Sequence, residues 1–273
     1  MDITIRQAIR FLFVSGLVTA NTLAYSGAML DTYSLSRWEG FYTGVYLGGG
    51  WDHTRLVTDA GMVSGIPIPS YFTSVADINS VNLAGSGKIT PSSFAGGVYA
   101  GNNVLVNRYL VGLVVDLGYL GLEHSLNSGA VSLPSIPAIN YTLTTSMKTN
   151  WLFTTRANFG YIYHDWLYPY ITGGVAVTNL SVSNSYQETS QPGTVFTSSN
   201  GINRAGWTIG GGIQVPIKKN LFLNAEYLYV EFPSLGTTSI VNCSNSLCSS
   251  PLTTSYDLNL NLLKLGLNYR FIG

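Results

Sequence analysis

The carboxyl-terminal segment 263–271 alternates apolar with polar or small residues along its whole length and ends on an aromatic residue. Because successive side chains of a β-strand point to opposite faces, this pattern predicts a strand with one apolar face. About nine to eleven tilted residues are enough for a strand to cross a bilayer. We therefore predict that the terminal strand faces lipid through Leu263, Leu265, Leu267, Tyr269 and Phe271.

Seven further segments show the same period of two, so the sequence predicts eight strands. Within the segment 150–163, aromatic and apolar residues occupy one face, while Thr154, Arg156 and Asn158 occupy the other. An apolar outer face and a polar, glycine-rich inner face are typical of a transmembrane barrel. The predicted strands are Phe41–His53, Ser93–Val104, Tyr109–Leu122, Asn150–Tyr163, Leu167–Val182, Ala205–Ile217, Leu221–Phe232 and Leu258–Phe271.

The connections between the predicted strands alternate between short and long. Short periplasmic turns and long outside loops are the rule in bacterial outer-membrane barrels, and no sheet edge can be left unpaired in lipid. We therefore expect an all-β, eight-stranded antiparallel up-and-down transmembrane β-barrel, in which the first strand pairs with the eighth. The short periplasmic turns are expected at 105–108, 164–166 and 218–220, and the four long extracellular loops at 54–92, 123–149, 183–204 and 233–257.

The composition also indicates a membrane location. Of the 273 residues, 10% are charged and 46% are hydrophobic, whereas soluble domains carry about 25% charged residues. No run of about 18 apolar residues is present that could form a membrane helix. Since the net charge is zero and the cations are scattered, no basic patch indicates a nucleic-acid partner.

The amino terminus has the pattern of an export signal. Arg6 and Arg10 precede a short apolar run, and small residues follow it. We expect cleavage between residues 20 and 28. The predicted domains are a signal peptide at 1–26, a short periplasmic segment at 27–37 and the barrel at 38–273.

Charged residues on the inward faces predict a polar network inside the barrel. Asp116, Arg156, Glu226 and Lys264 lie at similar distances from the short-turn ends of their strands, and Arg270 lies lower. Buried charges must be paired, and an eight-stranded barrel has room for packed side chains but not for a wide channel. We expect Glu226 on the neighbouring strand to pair with Lys264. The alternative is that these residues line a narrow ion path.

Two cysteines, Cys243 and Cys248, lie close together in a polar segment. In an exported protein such a pair predicts a disulfide, here closing a small loop, with free thiols as the alternative. The three histidines, His53, His124 and His164, are not spaced as metal ligands. We predict no cofactor, no metal site and no catalytic site; a catalytic triad at the outer rim is the minor alternative.

Three motifs resemble those of a known family. The three motifs occur in the order of that family's first strand, a hairpin and the closing strand: 38–46 (WEGFYTGVY), 206–212 (GWTIGGG) with 223–229 (LNAEYLY), and 265–271 (LGLNYRF). The chain is therefore similar to the outer-membrane β-barrel family of OmpA-like and Opa-like small surface antigens, in particular its alphaproteobacterial surface-antigen branch. The resemblance implies an outer-membrane location in a Gram-negative bacterium. It also implies roles in envelope integrity, antigenicity, adhesion or, in some relatives, haem binding.

The function expected from these observations is that of an outer-membrane surface protein with structural and loop-mediated interaction roles. The alternatives are a small porin-like channel, a haem-binding surface protein and a rim-located lipid-modifying enzyme. The expected partners are the outer-membrane bilayer with its lipopolysaccharide, the assembly machinery, and a host surface or small ligand bound by the loops.

Overall fold

Eight antiparallel strands form a closed ring in the computed structural model, and the first ring strand pairs with the last. The elements are β1 (Gly40–Asp52), β2 (Thr54–Ala60), α1 (Val75–Gly85), β3 (Gly87–Ile89), β4 (Ser92–Val106), β5 (Tyr109–Asn127), β6 (Val131–Leu133), β7 (Ile136–Tyr161), β8 (Tyr168–Glu188), β9 (Gln191–Pro216), β10 (Leu221–Asn242) and β11 (Ser249–Arg270). Around the ring the order is β1-β4-β5-β7-β8-β9-β10-β11, while the short strands β2, β3 and β6 and helix α1 belong to the connections.

The structure describes residues 35–52, 54–61, 70–72, 74–89, 92–189, 191–242 and 248–271. The predicted signal peptide, most of the segment that follows it and His53 lie outside these ranges. Among the described residues, no helix has the length and hydropathy needed to cross a membrane.

Closure of the ring takes place between β1 and β11, whose register runs from Tyr42 opposite Arg270 to Asp52 opposite Leu260. The apolar face of β11 points outward, so that its leucines and aromatic residues are exposed on the barrel surface, whereas Lys264 and Arg270 point inward and are buried. The predicted eight-stranded barrel and its closing pair are thus confirmed. The outward residues of this face are Leu263, Leu265, Leu267, Tyr269 and Phe271.

The three predicted short turns are present at one end of the barrel. Asn107 and Arg108 join β4 to β5, residues 162–167 join β7 to β8, and residues 217–220 join β9 to β10. Asn107, His164 and Asp165 adopt positive φ angles of 58°, 46° and 59°. Asn, Asp and His are the non-glycine residues that tolerate this conformation best, which explains how the chain reverses in so few residues.

The long connections differ from the expectation, because strands form most of them. Strands β7 and β9 each have 26 residues, and β8, β10 and β11 have 21, 22 and 22. About ten residues suffice to cross a bilayer. The strands therefore continue well beyond the membrane. We call this part, with β2, β3, β6 and α1, the outer extension.

The alternation of apolar and polar residues changes phase where the outer extension begins. In β11 the leucines up to Leu263 point outward. From Leu262 toward the outer end they occupy the other face, and Leu262, Leu260 and Leu258 point inward and are buried. The same step occurs in β10 after Tyr227. Inside the membrane, apolar side chains are stable on the outer face because they contact lipid. Above the membrane the outer face contacts water, so apolar side chains are stable only in the lumen. Aromatic residues mark the step, and we call them the outer belt: Trp51, Tyr119, Trp151, Trp207 and Tyr227.

Helix α1 covers the far end of the outer extension. Ser74 caps its first turn by accepting a hydrogen bond from the Ala76 amide. Asp77 is buried and accepts hydrogen bonds from the Ser135 amide (3.0 Å) and hydroxyl (2.6 Å). Asn82 accepts a bond from the Ala60 amide at 2.6 Å. These contacts fix the helix to β2 and to the β6–β7 turn.

Candidate functional site

Four charged side chains meet in the lumen at the level of the membrane. Lys264 Nζ lies 2.5 Å from Asp116 Oδ2, and Arg156 lies 3.4 Å from the same oxygen. Arg156 Nη1 is also 2.9 Å from Glu226 Oε2. With two cations and two anions the cluster is neutral, so each buried charge has a partner of opposite sign. All four side chains are almost completely buried.

Lys264 does not form its ion pair with Glu226, the residue expected from the neighbouring strand. Glu226 stands directly opposite Lys264 in the β10–β11 register, but the ion pair of Lys264 is with Asp116 on β5, a strand that does not adjoin β11. The expected Lys264–Glu226 ion pair is therefore wrong. The side chain instead reaches across the lumen, and the Arg156–Glu226 pair likewise joins strands that are not neighbours.

Tyrosine side chains complete the cluster. Tyr46 donates a hydrogen bond to Asp116 Oδ1 at 3.1 Å, and Tyr170 donates to Glu226 Oε2 at 2.9 Å. Lys264 Nζ lies 4.3 Å from the centroid of the Tyr46 ring. A small cavity with room for about one water molecule remains among these groups.

Inward-facing glycines make the space that the tyrosine rings occupy. A Cβ atom at Gly101 would lie 2.5 Å from the Tyr42 hydroxyl oxygen, and one at Gly118 would collide with the Tyr46 hydroxyl. A larger residue at either position would displace a ring of the polar cluster. The glycine-rich inner face is thus a packing requirement of a narrow lumen.

Trp38 fills the mouth of the barrel at the end where the short turns lie. Its side chain has 0% exposure, and its ring centroid is 4.9 Å from that of Phe222 and 5.8 Å from that of Tyr168. Arg270 donates a hydrogen bond to the Trp38 carbonyl oxygen, and its guanidinium lies 4.7 Å from the Phe222 centroid. Arg270 therefore belongs to an aromatic plug and not to the charged cluster above it.

A thick apolar layer closes the lumen on the other side of the charged cluster. It begins with inward leucines from β5, β7, β10 and β11 and continues into the outer extension, and its buried members include Leu120, Leu122, Leu152, Leu228, Phe232, Leu258, Leu260 and Leu262. The sequence pattern had predicted a polar inner face throughout. The named residues lie at the extracellular ends of four predicted strands, where apolar side chains occupy the inward positions and not the outward ones.

An aromatic cluster forms the core beneath helix α1. Tyr186 stacks on Tyr141 with centroids 5.6 Å apart, and Phe72 packs edge-on against Tyr186 at 6.1 Å. The Tyr186 hydroxyl donates to Glu188 at 2.7 Å. Burial raises the pKa of Tyr186 well above its ordinary value, and the hydrogen bond to the Glu188 carboxylate raises it further. This end of the barrel is therefore a packed, soluble-type core.

Cys248 forms a disulfide bond, and Cys243, the other cysteine of the chain, lies outside the described residues. Cys248 immediately precedes Ser249, which pairs with Asn242 at the end of the β10–β11 hairpin. His124 points into the outer extension, where burial lowers the pKa of its imidazole. Within the described ranges, no group of three or more His, Cys, Asp or Glu side chains is placed to hold a metal ion.

Comparison with known proteins agrees with this geometry. The model of the outer membrane protein beta-barrel domain family matches residues 68–271. This chain belongs to that family. It is 29% identical over 259 residues to the 31 kDa outer-membrane immunogenic protein of Brucella melitensis, covering 93% of this chain and 91% of the relative. It is 26% identical over 178 residues to the 22 kDa outer membrane protein of Rhizobium leguminosarum, covering 65% and 66%.

Among solved structures, OprG from Pseudomonas aeruginosa is similar over 86% of this chain and 97% of its own, with 12% identity and a TM-score of 0.45. Family membership makes this chain an outer-membrane protein of a Gram-negative bacterium, embedded in the bilayer. In such barrels the short turns face the periplasm, so the outer extension is extracellular and the Trp38 plug is periplasmic.

Proposed function

We propose that this protein is a non-catalytic surface protein of the outer membrane that supports the envelope and binds partners through its extracellular end. The observation that carries the proposal is the filling of the lumen by three successive layers. These are the Trp38 plug, the charged cluster and the apolar layer. A barrel that is filled at three levels is suited to anchoring a surface structure and not to conducting solutes.

We expect the purified protein to give no stable conductance in planar bilayers. An ion would have to break the Asp116–Lys264 and Arg156–Glu226 pairs and then cross the apolar layer, and exposing unpaired buried charges is costly. The test is to record the current across the bilayer at positive and negative voltages. A known porin in the same bilayer system is the positive control. Reproducible unitary steps from the monomer would support the porin-like alternative instead.

The binding surface that we propose is the exposed side of helix α1 and its surroundings. Val75 and Leu83 are 63% and 81% exposed, and Ile136 at the neighbouring turn is 50% exposed. They lie over a core that is already packed, so they add little to stability where they are. Exposed aliphatic side chains on an extracellular end are candidates for a contact surface.

Replacing Val75 and Leu83 together by serine is expected to reduce binding of protein-bearing cells to a host-cell surface severalfold, because the side chains that would be buried in the contact are lost. The barrel should keep its heat-dependent gel mobility, since both residues are exposed. Counting adherent bacteria that express each variant gives the measurement.

The control is Ile240→Ser, which removes a half-exposed aliphatic side chain from the β10–β11 hairpin. Detergent sensitivity of the same strains reports the envelope role separately, and both variants should match the wild type there. Adhesion that is unchanged in the Val75 and Leu83 variant would contradict the assignment of this surface.

A further inference from the structure

Three cations face outward just above the outer belt, on one side of the barrel. The described part of the chain beyond the belt contains four cations, and Arg204 turns inward toward Tyr256. The other three are exposed. They are Arg55 on β2, Lys88 on β3 and Lys148 on β7.

The three cations lie at similar heights above the membrane. Arg55 is four residues beyond Trp51, and Lys148 is three residues beyond Trp151 toward the extracellular side. At a strand rise of roughly 3.3 Å and a tilt of about 40°, this places them roughly 8–10 Å above the belt. The headgroup layer of a bilayer extends roughly 5–8 Å beyond its hydrocarbon. The backbone of these residues is therefore at or just beyond the outer edge of the headgroup layer, and long Arg and Lys side chains can reach down to the lipid phosphates.

Arg55 and Lys88 form a pair of like charges on neighbouring strands. They stand directly opposite each other in the β2–β3 ladder and both point outward. Like charges in directly opposite positions destabilise a sheet. Asp257 stands opposite Arg55 on its other side, whereas the ladder places no carboxylate opposite Lys88. An anionic group bound between the two cations would relieve their repulsion.

Lys148 continues the cationic side across the next strands. It pairs with Glu123 at 3.4 Å, and both side chains are at least half exposed. An exposed pair of this kind is worth little, so Lys148 can exchange its carboxylate for a phosphate at small cost.

Above Lys148 the outward face of β5, β7 and β8 bears short uncharged polar groups. The ladder aligns Ser125 with Ser146 and Ser183, and two residues further out it aligns Asn127 with Thr144 and Ser185. Asn127 donates a hydrogen bond to Thr144 at 3.1 Å. A flat array of hydroxyl and amide groups can form many hydrogen bonds with sugar hydroxyls.

We propose that this side of the barrel binds the phosphorylated glycolipid of the outer leaflet, lipopolysaccharide. The phosphate groups of the lipid bind to Arg55, Lys88 and Lys148, and its sugars contact the hydroxyl and amide groups on β5, β7 and β8. The wall then matches the lipid layer by layer: apolar residues against acyl chains, cations against phosphates and hydroxyls against saccharide. This site is on the lateral wall and does not depend on the function proposed for the end of the barrel.

The test measures binding of fluorescent diphosphorylated lipid A to the folded full-length protein in neutral detergent. The Arg55→Gln, Lys88→Gln variant should bind about 30-fold more weakly, and adding Lys148→Gln should weaken binding by about a further five-fold, because each cation near the lipid surface contributes a similar increment. The control is Lys218→Gln, Lys219→Gln, which removes two exposed cations from a periplasmic turn. It should bind like the wild type.

Two further sets of ligands test whether the site recognises the phosphate of a lipid or phosphate alone. Dephosphorylated lipid A should bind the wild type as weakly as the variant binds the native lipid, and millimolar inorganic phosphate should not compete. Lipopolysaccharide with its core sugars should bind the wild type more tightly than lipid A, and Ser146→Ala, Ser183→Ala should remove that gain. Equal binding by the Arg55, Lys88 variant and the wild type would overturn the proposal, as would full competition by inorganic phosphate.

Discussion

Replacing Asp116 by alanine is expected to destabilise the folded barrel by about 3–5 kcal/mol. In the lumen Asp116 forms ion pairs with Lys264 and Arg156 and accepts a hydrogen bond from Tyr46. Its removal leaves two buried cations facing one carboxylate, Glu226. Unfolding by guanidinium in detergent micelles, followed by gel mobility and circular dichroism, measures the change.

Restoring the charge balance should recover much of this loss. Asp116→Asn combined with Lys264→Met removes one anion and one cation, so that Arg156 and Glu226 remain as a neutral pair. The matched control is Asp257→Ala on β11, where the carboxylate is exposed and the cost should be within about 0.5 kcal/mol. If the Asp116→Ala and Asp257→Ala variants unfold at the same denaturant concentration, the charged cluster does not hold the barrel together.

The second large effect is expected at the periplasmic mouth. Trp38→Ala should cost about 3–5 kcal/mol, because it empties a fully buried site between Phe222 and Tyr168 and leaves a cavity beneath Arg270. The same guanidinium titration measures it. The variant should still not conduct, since the charged cluster and the apolar layer remain above the cavity.

Trp166→Ala provides the comparison for Trp38→Ala. Trp166 is in a periplasmic turn at the same end of the barrel, but its side chain is 53% exposed. Its loss should cost less than about 1 kcal/mol. Equal costs for the two tryptophans would mean that Trp38 does not pack as a plug.

Much of the membrane part of the fold could be predicted from the sequence. The eight runs of period two, the three short turns and the closing pair of β1 with β11 all appear in the structure. The reason is local: lipid selects apolar residues at every second position, and Asn107 or Asp165 marks a turn through its own backbone preference. Such signals do not depend on which strands become neighbours.

The outer extension was harder to predict because its rule is different. Its leucines alternate correctly, but they face inward, and short polar residues such as Ser125 and Thr144 cover the outside. A search for apolar outward faces therefore interprets these strands as loops. Adjacent apolar residues such as Leu262 and Leu263, or Tyr227 and Leu228, mark the change of phase and were the available signal.

The strand faces, the number of strands and the inward position of the charged residues could be read from the sequence, because they follow from the period of two and the solvent on each side. Which charges meet depends on how the closed ring brings distant strands together. Lys264 pairs with Asp116 and Arg156 with Glu226 across the lumen, and Trp38 enters the mouth beneath them. These contacts join non-neighbouring strands, and their distances depend on the curvature and stagger of the closed ring.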